Sequence, residues 1–578
     1  MGMGMGMGMF STSAHVSDDG AEDEAFIDEV DVLIVGGGPA GLSAAIRAKQ
    51  AFADAGQDDR RVLVLEKGAE LGAHILSGNV FETRALDELI PDWKDKGAPL
   101  VTPAKDDSFV FLTSESSAIT SPIVPPQMHN DGNYIISLGK LVRWLGEQAE
   151  ELGVEVYPGY AGARVVYNDD GSVRGVATGD MGIAKDGSKK PDFMPGMELH
   201  APVTLFAEGA RGSMSLMVMD KFGLRDGVMP QSYGLGIKEL WQVPDEIYQP
   251  GLIQHTIGWP LDTATYGGSF LYHQEDNTVA VGFVIGLDYP NPYLNPFREF
   301  QRFKHHPEVA KHLAGGERIS YGARAINEGG LQAIPKLAFP GGALIGCSAG
   351  FLNVPKIKGT HTAMQSGMYA ADAAVSALMA AGDDASSILA SDAGGITLDN
   401  YVETIESSWV YDELRSVRNI RPGFQYGFWP GMANAAFETA TFGKAPWTLT
   451  MKHEDHEARV TADNPAAKEI EYPKPDGVLS FDLPSSVFLA NNSYEEDQPS
   501  HLHVHSQQTA VDDLNRFAGQ AHRFCPAGVY TFMENESGPY LHTSPSNCVQ
   551  CKCCSIVAPH YIEWRVPEGA NGPLYSSM

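Results

Sequence analysis

Positive charge is scarce in this chain. Lys and Arg number 41 against 73 Asp and Glu, a formal net charge of -32 over 578 residues. A surface of that sign repels phosphate backbones, so nucleic-acid binding is not expected. It also gives no long-range pull towards anionic lipid, so any membrane contact has to come from a local patch. Cysteine is scarce too. Six residues cannot frame a disulfide-stapled fold of this length. No run of about 18 uncharged apolar residues occurs, which argues against a spanning helix. The N-terminal "MGMGMGMGMFSTSAHVSDDGAEDEAFIDEV" has neither the basic start and apolar middle of a secretory signal nor the Arg-rich, acid-poor composition of a transit peptide. Residues 1–29 read as a disordered acidic tail outside the fold. Hydrophobic residues at 43% and charged residues at 20% are ordinary for a globular protein, and the length implies two or three domains.

What the chain does have begins at Asp31. "DVLIVGGGPAGLSAAIRAKQ" is a continuous apolar strand, a glycine turn and an Ala-rich helix. Gly36, Gly38 and Gly41 form G-x-G-x-x-G, and Pro39 and Ala40 open the helix. Strand, turn and helix together are the context a dinucleotide fingerprint requires. Gly36 makes the turn, Gly38 lets a diphosphate approach the backbone, and Gly41 lets helix pack on strand. The next strand, "RVLVLEKG", ends at Glu66, placed to accept from ribose hydroxyls. Two later segments resemble those of glutathione-reductase-type flavoproteins. "VTLFAEGARGSMS" carries Gly209 and Arg211. "GGALIGCSAGFLNVPKIKGTHTAMQSGMYAA" carries Gly346, Gly350, Gly359, Thr360 and Thr362, which by that resemblance lie beside a flavin. FAD is therefore the expected cofactor. Cys347, in "GCSAG", reads as a small buried residue.

Four of the six cysteines crowd into "NCVQCKCCSIVAP" (547–559), and a fifth stands upstream in "RFCPAGVY". A disulfide knot, a zinc site and an iron–sulfur cluster compete. Cys548, Cys551 and Cys554 form C-x2-C-x2-C, and Cys525 is a distant cysteine followed by proline. That is one ferredoxin-type 4Fe-4S ligand set. A zinc ribbon would pair two CxxC knuckles, and Cys525 has no knuckle partner. Cys553 adjoins Cys554 and is an alternative third ligand in the loop. A flavin that takes two electrons and a cluster that moves one suggest a bridge between one- and two-electron carriers.

Long stretches go further. "IGWPLDTATYGGSFLYH", "GLDYPNPYLNPFREFQRFKHHP", "EYPKPDGVLSFD" and "RFCPAGVY…NCVQCKCC" resemble the electron transfer flavoprotein–ubiquinone oxidoreductase family, and the resemblance runs from about residue 30 to the end. It implies an electron-transferring-flavoprotein dehydrogenase, whose donor is electron transfer flavoprotein and whose acceptor is ubiquinone. It also implies FAD, one 4Fe-4S cluster and a monotopic seat on the membrane surface. Gly267 and Gly268 of "TYGGSF" would then line the quinone pocket. The expected fold is α/β with α+β insertions. It comprises a glutathione-reductase-type FAD-binding Rossmann fold (30–230 and 336–470), an antiparallel-sheet quinone domain (231–335) and a C-terminal ferredoxin-like iron–sulfur domain (471–578). Two segments suit either the bilayer surface or a core helix, 73–90 and the aromatic 421–443, and the resemblance implies membrane contact for the second. His361 of "KGTHTA" is a weak proton-donor candidate and reads better as a satisfied structural histidine. The expected location is the cytoplasmic face of a bacterial plasma membrane, with the matrix face of the mitochondrial inner membrane as the alternative. The competing functions are a geranylgeranyl-reductase-like flavoprotein and a non-enzymatic electron wire in a larger complex.

Overall fold

The computed structural model describes residues 26–382, 388–389 and 395–578. Its first layer is a six-stranded sheet in the order 338–339, 342–344, 203–206, 32–35, 62–66, 155–158. All pairs are parallel except the first edge pair. The strands Val32–Val35 and Val203–Phe206 are fully buried and apolar except for Thr204, as a sheet covered on both faces demands. The helix Pro39–Asp54 follows the glycine turn, with proline in its first turn where the missing N–H is no loss. The 22-residue helix Thr360–Ala381 packs across it. Gly367 makes that crossing possible, since any side chain there would overlap the Ala40 carbonyl.

The second layer is a seven-stranded sheet in the order 317–327, 233–242, 278–286, 267–273, 252–258, 106–112, 118–120. It is antiparallel apart from the pairing of Leu252–Gly258 with Asp106–Leu112. Residues 106–120, expected within the flavin half, therefore extend the sheet built by 233–327. The cysteine region packs directly on this sheet and shares its apolar core. The buried Tyr321 hydroxyl donates to the Pro526 carbonyl at 2.6 Å, and the Ala325 N–H donates to the Cys551 carbonyl at 3.0 Å.

One expectation needs correction and one choice is resolved. The tail was expected to run to residue 29, but Ile27–Glu29 is a strand paired in parallel with Glu198–His200. Arg61 holds Asp28 there through paired hydrogen bonds of 2.7 and 3.0 Å. Residues 1–25 lie outside the described residues. Of the two readings of 73–90, bilayer surface and core helix, the structure takes the second. Only Arg84–Leu89 is helical, and Leu86, Leu89 and Ile90 are buried in the core of the first layer. Its apolar periodicity is that of an ordinary core helix.

Candidate functional site

Between the two layers lies a cavity of about 860 Å³, large for a small-molecule site. It runs from Glu66 and the glycine turn, past the sheet strands at Gly267 and Gly268, to a mouth at Phe424, Phe428 and Met432. Two helix N-termini open onto it, at Gly38–Pro39–Ala40 and at Gly359–Thr360. Both offer free backbone N–H groups and the positive end of a helix dipole.

Of the sequence-predicted residues, Gly36, Gly38, Pro39, Ala40, Glu66, Gly209, Gly359, Thr360, Gly267 and Gly268 line this cavity. Gly36 has φ +110°, and a Cβ there would lie 2.5 Å from the Ala207 carbonyl oxygen. Glu66 accepts from the Gly37 N–H at 2.9 Å and the Gly68 N–H at 2.7 Å, so its carboxylate is fixed at the strand end.

The other predicted residues do not reach the cavity wall. Gly41 is the packing glycine of the turn, pressed against the Gly36 carbonyl. Gly346 lies under Ala40, Gly350 lies against Gln231, and the Thr362 hydroxyl donates to the Phe351 carbonyl at 2.9 Å. Arg211 is a clear departure. With φ +59°, its guanidinium turns to the cysteine region and bonds the Ser555 hydroxyl at 3.0 Å and carbonyl at 2.6 Å. It ties the two halves together and points away from the dinucleotide cavity.

Sequence reasoning missed the cavity's cations. Lys67, Arg324 and Lys552 all line it; Lys552 is buried, and Lys67 and Arg324 are half-buried. Burial above all, and then the Arg324 charge, bring the Lys67 ammonium down to about 8. Glu66 and Glu208 are the carboxylates that oppose these shifts, and backbone N–H groups already hold both. Three buried or half-buried cations on a cavity that also takes in two helix N-termini fit an anionic ligand such as a dinucleotide diphosphate. His74 and Trp564 also line the cavity with buried ring nitrogens that have no partner. Only Lys67, directly after Glu66, had a signal in the sequence. Cys347 lies on the wall and is half-buried where a buried residue was expected, with desolvation pushing its thiol up to about 11.

The five C-terminal cysteines are buried and unpaired. Burial, and then the charge of Cys554, push the Cys548 thiol up to about 12. Cys525 is raised to about 11, with burial the larger cause and Cys554 again contributing. The thiols thus sit in one electrostatic shell. Among the described residues, no three cysteine sulfurs lie within 4.8 Å of one another. A tetrahedral zinc site with Zn–S bonds of about 2.3 Å would bring its sulfurs to roughly 3.8 Å. The sulfurs as placed here are not gathered for a single zinc ion. The Gln550 N–H donates to the Cys548 sulfur at 3.3 Å, and the Val529 N–H to the Cys525 sulfur at 3.5 Å. Cys553 is turned elsewhere, its thiol donating to the Phe524 carbonyl at 3.7 Å.

At the mouth, the helix Phe428–Ala440 and its flanks leave large apolar side chains in solvent. Trp429 is 66% and Phe442 78% exposed, and Tyr426, Phe437 and Trp447 join them. No helix among the described residues is long and apolar enough to cross a membrane.

Comparison with known proteins agrees with this geometry. Residues 233–326 match the family model described as ETF-QO, ubiquinone-binding, and residues 477–576 match electron transfer flavoprotein-ubiquinone oxidoreductase, 4Fe-4S. Residues 34–100 match an NAD(P)-binding Rossmann-like domain. The mitochondrial electron transfer flavoprotein-ubiquinone oxidoreductase of Rattus norvegicus is 53% identical over 570 residues, covering 97% of this chain and 91% of the relative. The chain belongs to the electron transfer flavoprotein–ubiquinone oxidoreductase family. The Dictyostelium discoideum member is 52% identical, with 95% of this chain and 91% of the relative covered. Beyond the family, a geranylgeranyl bacteriochlorophyll reductase-like structure from Thermoplasma acidophilum superposes with a TM-score of 0.51 at 18% identity, covering 75% of this chain and 95% of that one. At that identity the likeness is one of fold alone.

Proposed function

We propose that this chain accepts electrons from reduced electron transfer flavoprotein and passes them, through a 4Fe-4S cluster and FAD, to ubiquinone at a membrane surface. The observation that carries this is that three features meet around one cavity. A dinucleotide-shaped cavity has the cysteine loop against one side, through Lys552 and Trp564, and an aromatic-rimmed mouth at its far end. When bound, FAD exchanges two electrons and can release them singly, while a 4Fe-4S cluster moves one at a time.

The chain's own residues hold these groups. Gly36, Gly38, Pro39, Ala40, Glu66, Gly209, Gly359 and Thr360 seat the FAD, and the cavity's cations balance its phosphates. Cys525, Cys548, Cys551 and Cys554 hold the cluster. Gly267 and Gly268 leave the sheet surface bare, so a flat ring can approach the backbone there. The exposed Trp429, Phe437 and Phe442 seat the mouth in the interfacial layer of a bilayer, so a long-tailed quinone enters without leaving lipid. In a bacterium that surface is the cytoplasmic face of the plasma membrane; in a mitochondrion it is the matrix face of the inner membrane. The protein needs no nucleophile. Its task is spacing, burial and hydrogen bonding to the redox groups.

An anaerobic titration of the purified chain with reduced electron transfer flavoprotein tests this. The flavin absorbance should bleach and the reduced-cluster EPR signal should rise in the same chain. If the donor leaves both centres oxidised, the donor assignment is wrong.

A further inference from the structure

The cysteine loop and the flavin cavity share a wall, and one chain of contacts across that wall runs through Gln550. This residue stands two places after Cys548 and directly before Cys551, and it is only 2% exposed. Its backbone has φ +54°, a left-handed conformation uncommon outside glycine. Such a conformation persists only where its surroundings hold it. Here the side chain is held at both ends. Its Nε2 donates to the Asn571 carbonyl at 2.9 Å, and its Oε1 accepts from the Lys67 ammonium. In the turn so fixed, the Gln550 N–H donates to the Cys548 sulfur at 3.3 Å.

Lys67, at the other end of this contact, lines the flavin cavity. It directly follows Glu66, whose carboxylate holds the Gly37 and Gly68 N–H groups. The Lys67 carbonyl accepts from the Ala570 N–H at 2.9 Å, so backbone and side chain both tie it to the C-terminal region. Its ammonium lies 5.2 Å from the centre of the Trp564 ring, which also lines the cavity. Direct contacts therefore lead from the Cys548 sulfur, through the Gln550 N–H and side-chain amide, to a cation on the cavity wall. An N–H on a ligand sulfur stabilises the added negative charge of a reduced cluster and so raises its potential. A cation beside a flavin favours the reduced flavin in the same way.

We infer that Lys67 and Gln550 are positioning residues that tune both redox centres through one shared contact. Gln550 holds the N–H that stabilises the reduced cluster. Lys67 anchors Gln550 from the flavin side and adds its own charge to both centres. The inference rests on the reading above of Cys548 as a cluster ligand and of this cavity as the FAD site. No bond forms or breaks at either residue when a centre takes an electron from the flavoprotein donor. The charge and the N–H are already in place, so little has to reorganise.

The test compares Gln550→Leu and Lys67→Met with wild type, as full chains loaded with FAD and cluster, at pH 7. One redox titration reads both centres, the cluster by EPR and the flavin by visible absorbance. In Gln550→Leu the cluster's ratio of reduced to oxidised form at a fixed solution potential should fall about tenfold, or about 59 mV for one electron. The flavin ratio in that variant should stay within about threefold of wild type. In Lys67→Met both ratios should fall, each by about threefold or more. An unchanged cluster potential in Gln550→Leu, or a Lys67→Met chain in which the flavin moves and the cluster does not, overturns the inference. If Gln550→Leu assembles no cluster, the cluster potential of Lys67→Met decides alone. Cys548→Ala tests the reading beneath: a variant that keeps the wild-type iron content and EPR signal overturns Cys548 as a ligand, and the shared contact with it.

Discussion

Gly38→Ala separates what the fold requires from what the ligand requires. Gly38 caps the helix Pro39–Asp54 at φ -85°, ψ -174°, a conformation open to alanine. A methyl group there would meet no protein atom within 4 Å, yet the position lines the cavity. Two effects on the empty chain oppose each other. Alanine is a poorer N-cap than glycine by up to about 1 kcal/mol, and it restrains the unfolded chain by about 0.4–1 kcal/mol in the other direction. Their sum is close to zero. A diphosphate seated against this backbone would have to shift past the methyl, a cost of about 1–3 kcal/mol. That converts to a loss of roughly 5- to 150-fold in FAD affinity. The assay is FAD titration of the apo chain by flavin fluorescence, with thermal unfolding of the same sample. Gly41→Ala is the contrast, because its Cβ would overlap the Gly36 carbonyl, so stability and FAD affinity should fall together. If Gly38→Ala binds FAD like wild type, the diphosphate does not lie where the fingerprint puts it.

Three further outcomes follow from the geometry. Cys553→Ser should keep its cluster iron and visible absorbance, whereas Cys554→Ser should lose them; the reverse pattern would reassign the ligand. Lys238 donates to the Ser77 carbonyl at 2.8 Å, and burial lowers its ammonium to about 7. Its folded pKa lies below the unfolded value of about 10.4, so the penalty for charging it is full below pH 7 and fades as pH rises towards 10.4. Lys238→Met should therefore raise the Tm, by the equivalent of a few kcal/mol, and more at pH 6.5 than at pH 9.5; an equal rise at both would refute the assignment. Replacing Trp429 and Phe442 together with serine removes two exposed interfacial side chains, each worth about 1.5–3 kcal/mol if fully buried in lipid. Vesicle binding should weaken at least tenfold, measured by flotation, and unchanged flotation would place the membrane contact elsewhere.

The parts of the site legible in the sequence are those with short-range signatures. The glycine turn and the Glu66 strand end each put chemistry within a few residues, and both read correctly as local structure; in the cysteine region, Cys553–Val557 is a short helix inside the expected loop. Residues that act across the fold were not legible. Lys67 and Gln550 meet across 483 positions of the chain, and no spacing pairs them. Arg324 arrives from the strand Glu317–Asn327, and Lys552 is carried in by the left-handed turn of the cysteine loop, at φ +67°. Arg211 was misassigned for a related reason. Its glycine-flanked strand end resembles a dinucleotide turn, but the positive φ at Arg211 itself sends the side chain to the opposite side. The 73–90 segment shows the limit of periodicity, which tells that a face is apolar and not whether protein or lipid covers it.

The most direct test of the account is steady-state anaerobic turnover of the holo chain with a short-tailed ubiquinone, supplied either with reduced electron transfer flavoprotein or with NADH. The account predicts quinol formation with the flavoprotein donor and none with NADH. Quinol formed from NADH alone, or a flavin that reduces while quinone stays oxidised, would contradict it.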